Sequence, residues 1–66
     1  MKLSTYIRQL QSIAKLHGND LEVIYAIDEE GNAFHPVHYA PAAGIYKKDD
    51  HQFLQSDNNV DCVCIN

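Results

Sequence analysis

Apolar side chains recur at the helical period from the start of the chain. Leu3, Tyr6, Ile7, Leu10, Ile13, Ala14 and His17 fall within about 120° of one another around a helical wheel, while Arg8, Gln11, Ser12 and Lys15 cover the other side. Leu16 is the one large apolar residue clearly off the stripe. No Gly or Pro interrupts the run. Ser4 suits an N-cap and Gly18 suits the turn out of the helix, so the pattern predicts a helix over 5–17. Ile7 stands where a capping box would need Glu or Gln.

After an Asn19-Asp20 turn the period changes. Residues 21–27 read as a strand that is apolar on most of both faces, which suits a central place in a sheet. Asp28-Glu29-Glu30-Gly31-Asn32 reads as a hairpin turn with Gly31 free to take positive φ. Residues 33–39 return as a second strand. Pro36 cannot donate to a ladder, which assigns that strand to an edge. Residues 40–44 read as a loop, Ile45-Tyr46 and Phe53-Leu54 as short strands, and 47–50 as a charged tip. Ser56–Asn59 is a further turn, and 60–65 a terminal strand, apolar but for Asp61. The expectation is a single α+β domain over 1–66. One N-terminal amphipathic helix packs on one face of a small antiparallel sheet of three to five strands.

That arrangement leaves a face uncovered. A helix of this length covers one side of a sheet, so Ile24 and Ala26, with either Val63 and Ile65 or Cys62 and Cys64, are expected to face outward together. A monomer rarely exposes a continuous apolar patch of that kind. A chain of 66 residues also buries only about 60% of its unfolded surface. Both arguments predict a homo-oligomer with Ile24, Ala26, Val63 and Ile65 at its interface. The competing arrangement folds residues 40–52 back over that face.

Composition narrows the function classes. Five Lys+Arg stand against nine Asp+Glu, for a net charge of −4, which argues against a general nucleic-acid binder. No apolar run approaches the length of a membrane span. Met1-Lys2-Leu3-Ser4 turns polar at once, so no secretory leader is expected and a reducing, cytoplasmic setting is. The charge is unevenly spread. Lys2, Arg8 and Lys15 lie among the first 19 residues with no carboxylate, and all nine acids follow, opposed by Lys47 and Lys48. Arg8 and Lys15 thus form a mildly basic helix face. Such a face serves solubility or meets a partner of opposite charge.

Little in the sequence points to catalysis or metal. His35 and His38 are three apart, which on a strand sends them to opposite faces, and zinc needs three or four ligands. One of the two is expected at the surface and the other beside Tyr39. Cys62 and Cys64 would share a strand face about 7 Å apart, too far for a disulfide, and read as free thiols. His17 is explained by the helix C-terminus. The 28–32 turn lacks the ligand spacing of a calcium loop. No Gly-rich phosphate loop occurs. No cofactor or metal and no enzyme activity are therefore expected. The most unusual stretch is 38–46, where small residues lie between Tyr39 and Tyr46. With Lys47, Lys48 and His51 following, it is the one candidate for a small anionic ligand.

The opening Met1-Lys2-Leu3-Ser4, Leu10-Gln11 and His17-Gly18-Asn19-Asp20-Leu21-Glu22-Val23 resembles a group of small phage and prophage-encoded accessory proteins. They begin with a short amphipathic helix, a Gly-Asp or Gly-Asn-Asp turn and a strand. An acidic hairpin and a final apolar strand follow. The resemblance covers the first third of the chain closely and the rest in outline, and residues 35–44 depart from it. It implies an accessory protein in the cytoplasm of a host cell that binds, and inhibits, a host protein. The residues expected to carry this are Arg8 and Lys15, or Tyr39 and Tyr46. The alternative is an oligomer that sequesters an anionic nucleotide signal of host defence, using Tyr39, Tyr46, Lys47, Lys48 and His51 at a subunit boundary.

Overall fold

A computed structural model describes residues 1–65. Its order is α1 (Leu3–His17), β1 (Ile24–Ala26), β2 (Phe34–Pro36), β3 (Ala42–Lys47), β4 (Gln52–Gln55) and β5 (Cys62–Cys64). The protein is α+β with antiparallel pairing throughout, as the periodicity predicts. The strands form two sheets, however, not one: a ribbon β1-β2 and a three-stranded sheet ordered β4-β3-β5.

The helix begins two residues earlier than expected. Lys2, in extended conformation, is the N-cap, and no side chain caps the helix. Ser4 is therefore inside the first turn, and the Ser4 cap is corrected. At the other end Gly18 adopts φ 95° and ψ 171°, and its N–H donates to the Ala14 carbonyl at 2.7 Å. That backbone region is essentially reserved for glycine.

The ribbon pairs Ile24 with Pro36, Tyr25 with His35 and Ala26 with Phe34. Hydrogen bonds from Val37 N–H to Val23 and from Ile27 N–H to Ala33 extend it at both ends. Between the strands Asp28 organises the turn. Its Oδ1 accepts from the N–H of Glu30 and of Asn32, each at 3.1 Å, and its Oδ2 accepts from Asn32 Nδ2 at 2.7 Å. Gly31 takes φ 69°, as the turn requires. The first strand has one partner, so the central place expected for 21–27 is corrected: the two-strand ribbon stops short of the second sheet. Pro36 ends an edge strand, which its missing donor permits.

The second sheet contains the larger departure. Residues 42–44, expected as loop, are the first half of its central strand. Ala42, Ala43 and Gly44 pair with Cys64, Val63 and Cys62, and Gly44 through Lys47 pair with Gln55 through Gln52. The reason is local. Gly44 is the one buried residue among those described, and the Phe53 ring of β4 lies over it. A Cβ there would run into the Leu54 carbonyl and come within 2.7 Å of that ring. Small residues thus let β4 close in on β3. The ladder ends in a side chain: Asp61 N–H donates to the Gly44 carbonyl, and Asp61 Oδ1 accepts from Tyr46 N–H at 2.9 Å. The carboxylate takes the place that a further residue of β5 would otherwise fill.

No strand packs closely against α1. Its first turn stands beside β5, where Met1, Leu3 and Tyr6 line an open cleft of about 630 Å³ with Val60, Val63 and Ile65. Among the described residues no hydrophobic side chain is buried. The expected helix-on-sheet layer is therefore not closed within one chain. The radius of gyration is 13.7 Å, against about 11 Å for a compact domain of this length.

Candidate functional site

The oligomer-interface residues named from the sequence are all solvent-facing or nearly so. Ile24 is 55% exposed, Ile65 50% and Val63 39%, and Ala26 is exposed. They do not share one sheet face, because Ile24 and Ala26 belong to the ribbon and Val63 to the second sheet. What is uncovered is wider than one face. Residues paired across an antiparallel ladder project to the same side. One side of β4-β3-β5 therefore carries Cys62, Cys64, Ala42, Tyr46 and Phe53, and the other Val63, Ala43, Ile45 and Leu54. Apolar side chains thus lie on both sides, with Gln55 on the first and Lys47 and Gln52 on the second. Tyr46, Phe53, Cys62, Val63 and Cys64 line a shallow hollow of about 310 Å³.

The helix stripe is equally bare. Tyr6 and Ala14 are half-buried, while Ile7, Leu10 and Ile13 are exposed. Leu16, off the stripe on the helical wheel, is 77% exposed. Arg8 and Lys15 are exposed on the opposite side. The Ser12 hydroxyl between them donates to the Arg8 carbonyl at 3.0 Å and is spent on the helix itself.

Of the five residues expected around an anionic ligand, Tyr46 and His51 come together. The Tyr46 hydroxyl and His51 Nδ1 share a hydrogen bond of 3.2 Å, with His51 at φ 55° in the β3–β4 turn. Lys47 neighbours Tyr46 on an extended strand and so projects to the other side. Lys48 lies in the turn. Tyr39 lies outside β3, before its Ala42 end, whereas Tyr46 lies near its Lys47 end, about 13 Å from Ala42 along the strand.

His35 and Tyr25 face each other across the ribbon with ring centroids 5.9 Å apart. The expected packing of a histidine on Tyr39 is thus replaced by a cross-strand pair with Tyr25, and His38 lies exposed beyond β2. Cys62 and Cys64 are free thiols, half-buried on one face. Partial burial pushes the Cys62 thiol up, and the Asp61 carboxylate beside it adds to the effect. A raised pKa keeps the sulfur protonated and slow as a nucleophile. Among the described residues no three His, Cys, Asp or Glu side chains converge on a point that would hold a metal ion. No described helix is long and apolar enough to cross a membrane.

Gly44, Phe53 and Asp61 were not singled out by the pattern as organisers of the site. Asp61, the one acid inside an otherwise apolar strand, was the available signal. No protein-family model matches the chain, and no curated protein and no solved structure matches it either.

Proposed function

We propose that this protein acts by binding another protein, as a homo-oligomer, and not by catalysing a reaction. One observation carries the reading. The chain exposes 6134 Å², where a compact monomer of its mass would expose about 4,200 Å². Apolar side chains on the helix stripe and on both sides of the second sheet are among those exposed. Surface of that kind is characteristic of interfaces. Self-association covers the apolar part and leaves Arg8 and Lys15 outward, with the exposed Tyr39 and Tyr46 as further contacts. On the resemblance to phage accessory proteins, the expected target is a host protein, met in the cytoplasm. The alternative reading, capture of an anionic nucleotide, is favoured by the Tyr46–His51 pair, with Lys48 in the turn between them.

The test compares the tagged protein with the double variant Arg8→Glu/Lys15→Glu in pull-downs from candidate host lysates. The expected result is one protein held at fixed stoichiometry by the parent and lost from the variant, with the oligomeric mass unchanged. A melting temperature raised by cyclic or linear nucleotides, with no protein retained, would replace this reading with the alternative.

A further inference from the structure

We infer that two copies of the chain pair along the free edge of β1, joining their ribbons into one four-stranded antiparallel sheet ordered β2-β1-β1-β2. The two-fold axis passes beside Ile24. The inference rests on the reading that the chain self-associates, and names the surface through which it does so.

The hydrogen-bond pattern shows which groups are open. Bonds from Val37 N–H to Val23 and from Ile27 N–H to Ala33 mark 23 with 37, and 27 with 33, as hydrogen-bonded pairs. Ile24–Pro36 and Ala26–Phe34 fall in the alternate places of the ladder. The backbone N–H and C=O groups of Ile24 and Ala26 therefore point away from β2, and β1 has no other neighbour. The far edge of β2 is the poorer template, because Pro36 has no N–H to offer there. In the second sheet, β4 is bounded at both ends by glutamine, and β5 has the first turn of α1 beside it.

The side chains agree with the backbone. Residues 21–27 are apolar except for Glu22, the make-up of a strand with a neighbour on each side. In the single chain Leu21, Val23, Ile24 and Ile27 are each more than half exposed. A two-stranded ribbon alone is marginal, and doubling it supplies the missing neighbour. The surplus over a compact monomer, about 1,900 Å² per chain, exceeds the roughly 800 Å² that each partner gives to a standard interface.

Charge and periodicity choose the register. Two registers use the outward groups and keep most of the strand paired. With the axis at Tyr25, Glu22 lies directly opposite Asp28 of the second copy and Leu21 opposite its Glu29, a like-charge pair at each end. With the axis at Ile24, Leu21 meets Ile27, Glu22 meets Ala26, Val23 meets Tyr25, and Ile24 meets its own counterpart. Leu21, Val23, Tyr25 and Ile27 of both copies then form one continuous apolar face. The nearest like charges, Asp20 and Asp28, fall beyond the strand. The strand is thus complementary to itself, which selects a second copy over a strand of unrelated sequence, and the two-fold axis closes the assembly.

The test joins mass, exchange and connectivity. Light scattering on the full chain should give twice the chain mass of 7.5 kDa. Amide hydrogen exchange on the same unmodified chain, resolved by NMR, should show Ile24 and Ala26 protected alongside Val37 and Ile27, whose bonds lie within the ribbon. Ile24→Cys, with Cys62 and Cys64 retained, should form a 24-to-24 disulfide under mild oxidation, read by mass spectrometry of linked peptides. The two Cα atoms would face each other at about 5.5 Å. Ala26→Cys should not link to itself, because its counterpart lies about 13 Å along the strand. Freely exchanging Ile24 and Ala26 amides in a dimeric sample would overturn the edge pairing and leave self-association standing. A 26-to-26 link without a 24-to-24 link would overturn the register. A monomeric mass at high concentration would remove both the pairing and self-association, and leave the edge to a strand of another protein.

Discussion

Gly44 is the most enclosed residue of the chain, and what encloses it is backbone and ring. The Leu54 carbonyl and the Phe53 ring occupy the space a side chain would need. Gly44→Ala should therefore force β3 and β4 apart and destabilise the fold by about 1–3 kcal/mol, read as a lower urea midpoint. Asp28 makes a complementary case through charge. Its hydrogen bonds with Asn32, then with the backbone of Asn32, Glu30 and Gly31, outweigh slight desolvation and lower its pKa below 3.8. A depressed folded value contributes stability above the unfolded value, and that contribution disappears as pH falls through the folded one. Asn32→Ala should return the Asp28 titration, followed by NMR, toward 3.8. It should also flatten the dependence of stability on pH below that point. An unchanged titration would remove the turn's role for these bonds.

The helix was legible because its signal is long and redundant. Seven stripe positions, no breaker and a terminal Gly18 all agree, and even the odd position of Leu16 is matched by its exposure. The hairpin around Asp28–Asn32 was legible for a similar reason, since turn chemistry is local. Strand β3 was not. Ala42-Ala43-Gly44 has weak strand propensity, and its pairing depends on Phe53 and Cys62, residues distant in sequence. The division into two sheets was hidden for the same reason. Periodicity assigns faces to strands but does not say which strands meet. At the helix end, Gly18→Ala isolates a backbone effect, because open space surrounds the position where a Cβ would go. Holding alanine at this φ and ψ should cost about 1–3 kcal/mol, seen as a lower melting temperature with no change in contacts elsewhere. A neutral outcome would mean that the helix simply ends earlier in solution.

For the molecule as a whole, the sequence argument that one helix cannot cover both sides of a sheet holds in a stronger form, since the single chain buries neither side. The particular outward residues were less legible, because Ile24 and Val63 had to be assigned to one sheet before their neighbours were known. The exposure of Arg8 and Lys15 away from the stripe follows from the helical period, whereas the place of Tyr46 beside His51 could not be read because β3 is longer than expected. If folding and association are one event, the melting temperature should rise with protein concentration. Leu10→Asp, which places a charge in the middle of the stripe, should abolish that dependence and leave a largely unfolded chain by circular dichroism. A melting temperature indifferent to dilution over two decades would contradict this coupling.

The glycine under the Phe53 ring also bears on how such a protein could be made hardier. Interiors are ordinarily improved by enlarging a side chain into a void, but here the innermost position is occupied by a neighbour's aromatic ring and leaves no room for one. Robustness would have to be sought at the exposed apolar surface, and a laboratory selecting heat-resistant variants should recover substitutions on the helix stripe in preference to the middle of the sheet.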